Sequence, residues 1–419
     1  MVIVDRSQGV AIFRMRGTKR KDQLVADHCP VASGDRQLRI TIVLSGLGLS
    51  GGVRCVGQLS RALTERGHKV VLVAGKQKRS KWWPKRPAHI KTKYRELIAR
   101  LNKRDGHLKS LGVSCFISQE DSVDFRDVPD ADLVLGTWWQ SVEEINGWPA
   151  SKGLKAHYVQ GHDAYAADAY KNSRGEILNR ISEIYRLPIK KFVVSKWLVS
   201  LLEELYQAKD VTYVPNAIDP KQFFTGVREK PACPLVGFLY SAMDIKAPEV
   251  AFDALRIVQQ RYPDTRVISY GMRGLNKKYA KKLRNHRHFI LPSISQLRSL
   301  YQQSSCWVAS SRSEGFGLPG FEANACGCPI VSTACGGPED YIDDGVNGYL
   351  VPVDDPVAMA SAIGCVIEFS SDQWSTMSAA GAARASEFSW DETAKRFEEG
   401  VYSYLRGKSV TESSSWPVL

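Results

Sequence analysis

The sequence predicts an α/β protein made of two doubly wound domains that face each other across a cleft. In both halves, apolar and β-branched runs of strand length alternate with stretches of helical periodicity, the pattern of parallel strands connected by crossover helices. The length of 419 residues exceeds what one ordinary core accommodates. The stretch Pro220 to Pro234 lies between the two series, and we predict the interdomain link there.

A strand, a helix and a second strand open the first half. The apolar run at 38–44 predicts a buried strand, and the apolar residues of 53–66 recur at helical spacing. The glycine-rich turn 45–52 joins them, and a second strand follows at 70–73. No acidic residue follows that second strand, so the turn lacks a reliable dinucleotide fingerprint. The turn is either a tight strand-to-helix connection or a stretch of backbone that lines the cleft between the domains.

The remaining runs extend both series. Further strands of the first half are predicted at 131–136, 156–160, 191–195 and 211–214. The second half has predicted strands at 235–240, 265–270, 288–290, 306–308, 329–333 and 348–351, with a helix at 250–261. We therefore divide the chain into a mobile basic tail (1–37), an N-terminal Rossmann-like domain (38–222), a C-terminal Rossmann-like domain (223–388), a helix packing back toward the N-terminal domain (389–408) and a frayed tail (409–419).

Bulk composition and the N-terminal sequence predict neither a membrane-spanning helix nor a secretory signal. The chain is 43% hydrophobic, contains no run of eighteen apolar residues and begins without a secretory signal pattern. Its nine cysteines are scattered, which favours reduced thiols in a cytoplasmic protein. The formal net charge is +13.

Much of the positive charge lies in one segment, Lys76 to Lys109. It holds thirteen Lys and Arg residues against two acidic residues and includes the pair Trp82-Trp83. Tryptophan beside cations suits the headgroup region of a membrane, whereas basic runs also bind nucleic acid or simply form a solvated helix. The protein is then either free in the cytoplasm or peripheral on the inner face of the membrane.

The stretch 311–333 is the most informative part of the chain. Two carboxylates, Glu314 and Glu322, stand eight residues apart around the turn Gly315-Phe316-Gly317. A proline opens and a glycine closes a short predicted helix that contains Glu322. Glycines let backbone N–H groups approach an anion, and a helix N-terminus adds partial positive charge. The segment therefore predicts a site for a polyhydroxylated ligand that contains phosphate.

This stretch resembles the nucleotide-sugar motif of the family-4 retaining glycosyltransferases, which have the GT-B fold of two Rossmann-like domains. The resemblance extends over most of residues 39–405. Further segments that agree with the family are Gly51-Gly52, Arg66-Gly67-His68-Lys69-Val70, Val194 to Leu198, Val214 to Asp219, Gly336 to Glu339 and Asp344 to Pro352.

The resemblance implies roles for residues of the C-terminal half. Glu322 would bind the ribose of the donor, and Glu314 would bind hydroxyls of the transferred sugar. The backbone of Gly315, Phe316 and Gly317 would lie near the sugar or the diphosphate, with Leu318 closing the turn.

The family also supplies two cations after the first strand of the C-terminal domain. Lys246 stands where the family has its lysine, whereas Ser241 stands where the family has an arginine. Serine can bind a phosphate oxygen but brings no charge. Arg273 is the residue that we expect to compensate.

The acceptor side is predicted in the N-terminal half. His162 resembles the acceptor-side histidine of the family, with Asp163 beside it and Gly51 and Gly52 lining the cleft. Trp138 follows another predicted strand, and its ring either stacks on a sugar or packs in the interior.

The expected reaction is metal-independent transfer of a hexosyl group from a nucleotide diphosphate sugar to a glycan or lipid-linked acceptor, with no cofactor. The alternative is a non-catalytic protein that binds sugar nucleotides on the same fold, which Ser241 favours. A nucleic-acid partner is not expected, because the two glutamates would face a phosphate backbone unfavourably.

Overall fold

The structure is a computed structural model, and it describes residues 36–44, 46, 51–75, 108, 113, 115–118, 122–169 and 173–413. Most of the predicted tail 1–37 and nearly all of the basic segment Lys76–Lys109 lie outside these residues. The same holds for part of the turn 45–52 and for the last six residues of the chain.

The first half forms a parallel sheet of seven strands. They are β1 (Arg39–Leu44), β2 (Lys69–Ala74), β3 (Cys115–Ile117), β4 (Leu133–Gly136), β5 (Leu154–Val159), β6 (Lys190–Val193) and β7 (Val211–Tyr213). Their order in the sheet is β3-β2-β1-β4-β5-β6-β7. We refer to this sheet and the helices that connect its strands as the N-terminal domain.

The second half forms a parallel sheet of six strands, the C-terminal domain. They are β8 (Leu235–Leu239), β9 (Arg266–Gly271), β10 (His286–Ile290), β11 (Cys306–Ala309), β12 (Ile330–Thr333) and β13 (Gly348–Val351). Their order is β10-β9-β8-β11-β12-β13. Two parallel sheets of this kind confirm the predicted fold class.

The described helices connect these strands. They are α1 (Gly51–Glu65), α2 (Trp139–Asn146), α3 (Arg174–Arg186), α4 (Lys196–Tyr206), α5 (Pro248–Arg261), α6 (Ile294–Gln303), α7 (Leu318–Ala325), α8 (Pro356–Glu368), α9 (Ser371–Ser386) and α10 (Trp390–Ser413). None of them is long and apolar enough to cross a membrane.

Both sheets reverse their strand order at one point, between β1 and β4 in the first and between β8 and β11 in the second. Parallel sheets bind ligands outside the carboxyl ends of the strands at such a switch point. The carboxyl ends of β1, β4, β8 and β11 are therefore positioned for function, and the end of β5 lies next to them because β5 pairs with β4.

Two elements differ from the sequence prediction. The edge strand β3 has three partly exposed or exposed residues, and so short a run gives no recognisable apolar pattern. The last helix, α10, continues through Ser413, so its final turn includes residues that we had assigned to the frayed tail.

Helix α10 returns to the N-terminal domain and docks there through a buried ion pair. The Arg66 guanidinium donates to both carboxylate oxygens of Glu398, at 2.8 and 2.7 Å. His68 accepts the Leu38 N–H at Nδ1, so its Nε2 carries the proton and donates to Glu398 at 2.5 Å. Glu398 is 6% exposed. The Arg and the His of the segment Arg66-Gly67-His68 therefore have a physical role, since both side chains bind a buried carboxylate.

We predict that Glu398→Ala destabilises the protein by about 3 kcal/mol, because it removes the buried carboxylate that pairs with Arg66 and accepts from His68 and leaves the guanidinium with only the exposed Asp391. The melting temperature, measured by calorimetry, should fall by several degrees.

The matched control is Glu65→Ala. Glu65 forms an exposed i,i+4 pair with Arg61 on α1, and such pairs contribute about 0.3–0.5 kcal/mol. Equal melting temperatures for the two variants would contradict the docking role of Glu398.

Candidate active site

The turn between β11 and α7 has its backbone fixed by a neighbouring loop. The Glu314 N–H donates to the Cys335 carbonyl at 3.0 Å, and the Gly337 N–H donates to the Glu314 carbonyl at 2.9 Å. Gly317 ends the turn with φ = 84°, a left-handed conformation that favours glycine, and α7 begins at the next residue. These two hydrogen bonds and the left-handed Gly317 together fix the direction in which the N-terminus of α7 points.

Glu314 is paired with Lys246 across the carboxyl ends of β8 and β11. The Lys246 ammonium lies 2.5 Å from Glu314 Oε1, and the Ser311 hydroxyl donates to the same oxygen at 2.6 Å. The Glu314 side chain is 15% exposed and the Lys246 side chain is 25% exposed. Two residues that the sequence predicted for the sugar and the diphosphate are thus brought into direct contact.

Glu322 has a partner on each carboxylate oxygen. The Tyr301 hydroxyl donates to Oε2 at 2.9 Å. Arg54, from the first turn of α1 in the N-terminal domain, forms an ion pair with Oε1. Glu322 itself is only 2% exposed, so its charge is compensated from across the cleft.

The glycine turn touches the N-terminal domain directly. A Cβ atom added to Gly315 would lie 1.9 Å from the Gln160 carbonyl oxygen and 2.9 Å from Gly161 Cα. A Cβ atom on Gly51 would lie 3.0 Å from Leu318 Cδ1. The loop after β5 therefore packs on the loop after β11, and the cleft is closed.

Gln160 emerges as a site residue that sequence analysis did not single out. Its Oε1 atom is buried and has no hydrogen-bond partner among the described residues. A Cβ atom on Gly52 would approach that oxygen to 3.2 Å. A buried unpaired acceptor at the contact of two domains marks a place where a ligand hydroxyl can donate. Its position as the last residue of the predicted strand 156–160 was the available signal.

His162 lies half-buried next to this contact. Its Nε2 is 2.7 Å from the Tyr206 hydroxyl, and its ring stacks on Tyr185 with centroids 6.2 Å apart. Burial lowers the pKa of His162 below its ordinary value, so the imidazole is neutral at pH 7. A neutral ring held by tyrosines suits a positioning role at the acceptor side.

Asp163 is buried beneath the cleft rather than exposed in it. Its Oδ2 accepts the backbone N–H of Trp139, the first residue of α2, at 3.1 Å. Burial raises the pKa of Asp163 to about 8. The side chain holds the start of α2 in place, and any effect on an acceptor would pass through that helix.

Two aromatic rings meet at the start of α2. Trp138 precedes α2 and meets Tyr165 edge to face, with centroids 6.0 Å apart. Burial raises the pKa of Tyr165 to about 12, with further contributions from the charges of Asp163 and Glu314. Tyr165 therefore lies within electrostatic range of Glu314, although the sequence analysis did not predict it as a site residue.

Ser241 and Arg273 follow neighbouring strands of the C-terminal domain. The Ser241 hydroxyl accepts the Met243 N–H at 3.3 Å, within the turn that leads to Lys246. Arg273 is exposed, two residues beyond the end of β9. The compensating role that we predicted for Arg273 stays a prediction.

A second contact joins the domains at two of the segments that carry the family resemblance. A Cβ atom on Gly336 would lie 2.4 Å from the Trp197 ring. The Lys196 N–H at the start of α4 donates to Asp340 at 3.0 Å, and burial raises the pKa of Asp340.

Little open space remains at the cleft. A cavity of about 10 Å³ lies beside Arg54, Phe223 and Leu318, which is about the volume that one water needs. A larger cavity of about 590 Å³ lies elsewhere, among Arg228, Arg266, Arg287 and Phe289 at the start of β9 and β10. We place the site at the cleft, since the converging polar groups are there.

Known proteins resemble this chain in sequence and in fold. The family model described as "Glycosyl transferases group 1" matches residues 231–368. A D-inositol 3-phosphate glycosyltransferase of Corynebacterium urealyticum is 33% identical over 178 residues, which cover 39% of this chain and 42% of that protein. The chain thus matches less than half the length of this curated relative.

Solved structures agree over most of the chain. HepE of Anabaena, in complex with UDP and glucose, has a TM-score of 0.64 at 14% identity, covering 88% of this chain and 100% of that one. A variant of TarM from S. aureus, in complex with fondaparinux, α-GlcNAc-glycerol and UDP, has a TM-score of 0.66 at 11% identity, covering 87% and 100%. These similarities confirm the GT-B fold.

We predict that Gly315→Ala opens the cleft, because the added methyl group would overlap the Gln160 carbonyl. Gly315 does not have a positive φ, so alanine is compatible with the turn itself. Small-angle X-ray scattering should give a larger radius of gyration for the variant.

Gly226→Ala is the matched control, because a methyl group there meets no atom within 4 Å. An unchanged radius for Gly315→Ala would show that the closed contact does not persist in solution.

Proposed function

We propose that this chain, whose residues 231–368 match the family model of the group 1 glycosyltransferases, transfers a sugar from a nucleotide diphosphate sugar to a glycan or lipid-linked acceptor. The observation that supports this most directly is the closed contact of Gly315 with Gln160 and Gly161. It brings the glycine turn and Glu314 next to His162. The two halves expected of a transfer site thus meet at one point.

The donor is proposed to lie along α7. Its diphosphate would meet the N-terminus of this helix and the Lys246 ammonium, while its ribose hydroxyls would bind Glu322. Solved relatives of this fold, HepE and TarM, contain UDP in the complexes described above. A uridine donor is therefore the first to test.

The transferred sugar is proposed to lie between Glu314 and His162. Glu314 would accept hydrogen bonds from its hydroxyls once Lys246 turns to the diphosphate. Trp138 and Tyr165 offer aromatic faces on the acceptor side, and sugar rings stack on such faces.

We propose that transfer proceeds with retention and without a metal ion. The acceptor oxygen would attack the anomeric carbon on the face that the leaving diphosphate vacates, and a phosphate oxygen would take the acceptor proton. Lys246 and backbone dipoles would stabilise the charge that develops on the leaving group. His162, neutral at pH 7, would position the reacting sugar.

A second candidate function is binding of sugar nucleotides without catalysis. Ser241 supports it, because this position carries no charge and its hydroxyl is engaged with Met243. The two functions differ in turnover and not in nucleotide binding, so kinetics separate them.

We predict that the chain releases nucleoside diphosphate from one member of a panel of UDP-, GDP- and ADP-sugars. Glu314→Ala and Lys246→Ala should each lower kcat/KM about 10²- to 10³-fold, the usual effect of removing one group that stabilises a transition state. A coupled assay for nucleoside diphosphate release measures this, with and without EDTA.

Exposed residues of the same domain provide controls, namely Glu229→Ala and Lys278→Ala, and both should keep wild-type rates. Binding of a nucleoside diphosphate without turnover of any donor would instead establish the binding-protein alternative. NMR of the product determines whether the anomeric configuration is retained.

Membrane association is proposed from the sequence of the segment Lys76–Lys109, with its excess of positive charge and its two adjacent tryptophans. Such a segment binds anionic headgroups electrostatically and inserts its rings at the interface. It would bring the protein to lipid-linked acceptors.

We predict that the chain floats with vesicles of phosphatidylcholine and phosphatidylglycerol at low salt, and less with phosphatidylcholine alone. Replacing Trp82 and Trp83 by alanine should reduce flotation. Equal flotation of this double variant would contradict an aromatic anchor.

A further inference from the structure

Arg54 is the cation that the N-terminal domain contributes to the site. It lies on the first turn of α1, two residues after Gly52, and its side chain is 17% exposed. The guanidinium reaches across the cleft to Glu322 and lies 5.5 Å from the centroid of the Phe223 ring. It is thus held between a carboxylate of one domain and an aromatic ring of the link.

Glu322 is 2% exposed, so a ligand hydroxyl reaches its carboxylate only where one of the two partners moves aside. Tyr301 is fully buried, and its ring packs on Trp307 with centroids 4.5 Å apart. Arg54 has a long side chain and comes from the other domain. Of the two partners, Arg54 is therefore the one that a ribose hydroxyl would displace.

A displaced guanidinium would remain close to the start of α7. Gly51, three residues before Arg54, packs on Leu318, the first residue of that helix. An arginine side chain spans several ångströms, so both Glu322 and an anion at the helix N-terminus lie within its range. The flat guanidinium suits two oxygens of a phosphate group.

The charges at the site favour such a move. Glu314 and Lys246 compensate each other at 2.5 Å, and Glu322 is compensated by Arg54. A bound diphosphate adds two or more negative charges to a site of little exposure. Burying these charges with Lys246 as the one nearby cation among the described residues is costly; ribose hydroxyls that replace Arg54 as donors to Glu322 would free Arg54 to meet them beside Lys246.

We propose that Arg54 is a donor-binding residue that exchanges partners, leaving Glu322 when the ribose binds and pairing with the donor diphosphate. The proposal rests on the proposed function, since it takes the ligand of Glu322 to be a nucleotide. Donor binding then replaces an ion pair between the domains by a contact of both domains with the donor.

The test compares a nucleoside diphosphate with its parent nucleoside. Calorimetry first identifies which of UDP, GDP and ADP the wild-type chain binds most tightly, and that diphosphate is used in the test. The nucleoside is followed by NMR titration at millimolar concentration. Arg54→Gln should weaken diphosphate binding at least about tenfold, the loss typical of a charge-assisted hydrogen bond, whereas nucleoside affinity should stay equal or increase. Arg54→Lys should recover part of the loss.

Arg61→Gln is the matched control, because Arg61 lies on the same helix and pairs only with the exposed Glu65 among the described contacts. Melting temperatures confirm that each variant is folded. Diphosphate affinity that is unchanged or tighter in Arg54→Gln would overturn the proposal and leave Arg54 as a competitor of the ribose. A wild-type chain that binds none of the three diphosphates would overturn the proposed function itself.

Discussion

The structure depends on one close approach between the domains, that of Gly315 to the carbonyl oxygen of Gln160. No residue with a Cβ atom fits there, so the glycine turn after β11 can touch the loop after β5 only because the side chain is absent. This approach positions Glu314 beside the loop after β5 and Leu318 beside Gly51. The closed cleft, the pairing of Glu322 with Arg54 and the small cavity go together with it.

Each glutamate of the central motif is neutralised by a cation from another element. Glu314 is compensated within its own domain by Lys246, whereas Glu322 is compensated across the cleft by Arg54. Both carboxylates are largely buried, and unpaired buried charges are costly. The cleft is therefore held together by the same charged groups that we propose for donor binding.

Local sequence signals predicted the parts of the site that depend on one segment of backbone. The turn 315–317, the short helix that carries Glu322 and the lysine after β8 all lie where the pattern indicated. Arg54, Gln160 and Tyr165 were not found, because each has an ordinary place in its own helix or loop. Their relevance comes from a neighbour in another part of the chain.

The sequence by itself determined the α/β class, most of the strands and the short helix after the glycine turn, since these depend on local periodicity and backbone conformation. Only the tertiary structure decided which groups face one another. It pairs Arg66 and His68 with Glu398, buries Asp163 beneath α2 and brings Arg54 to Glu322. These contacts join residues far apart in the chain, and no spacing in the sequence encodes the distance between them.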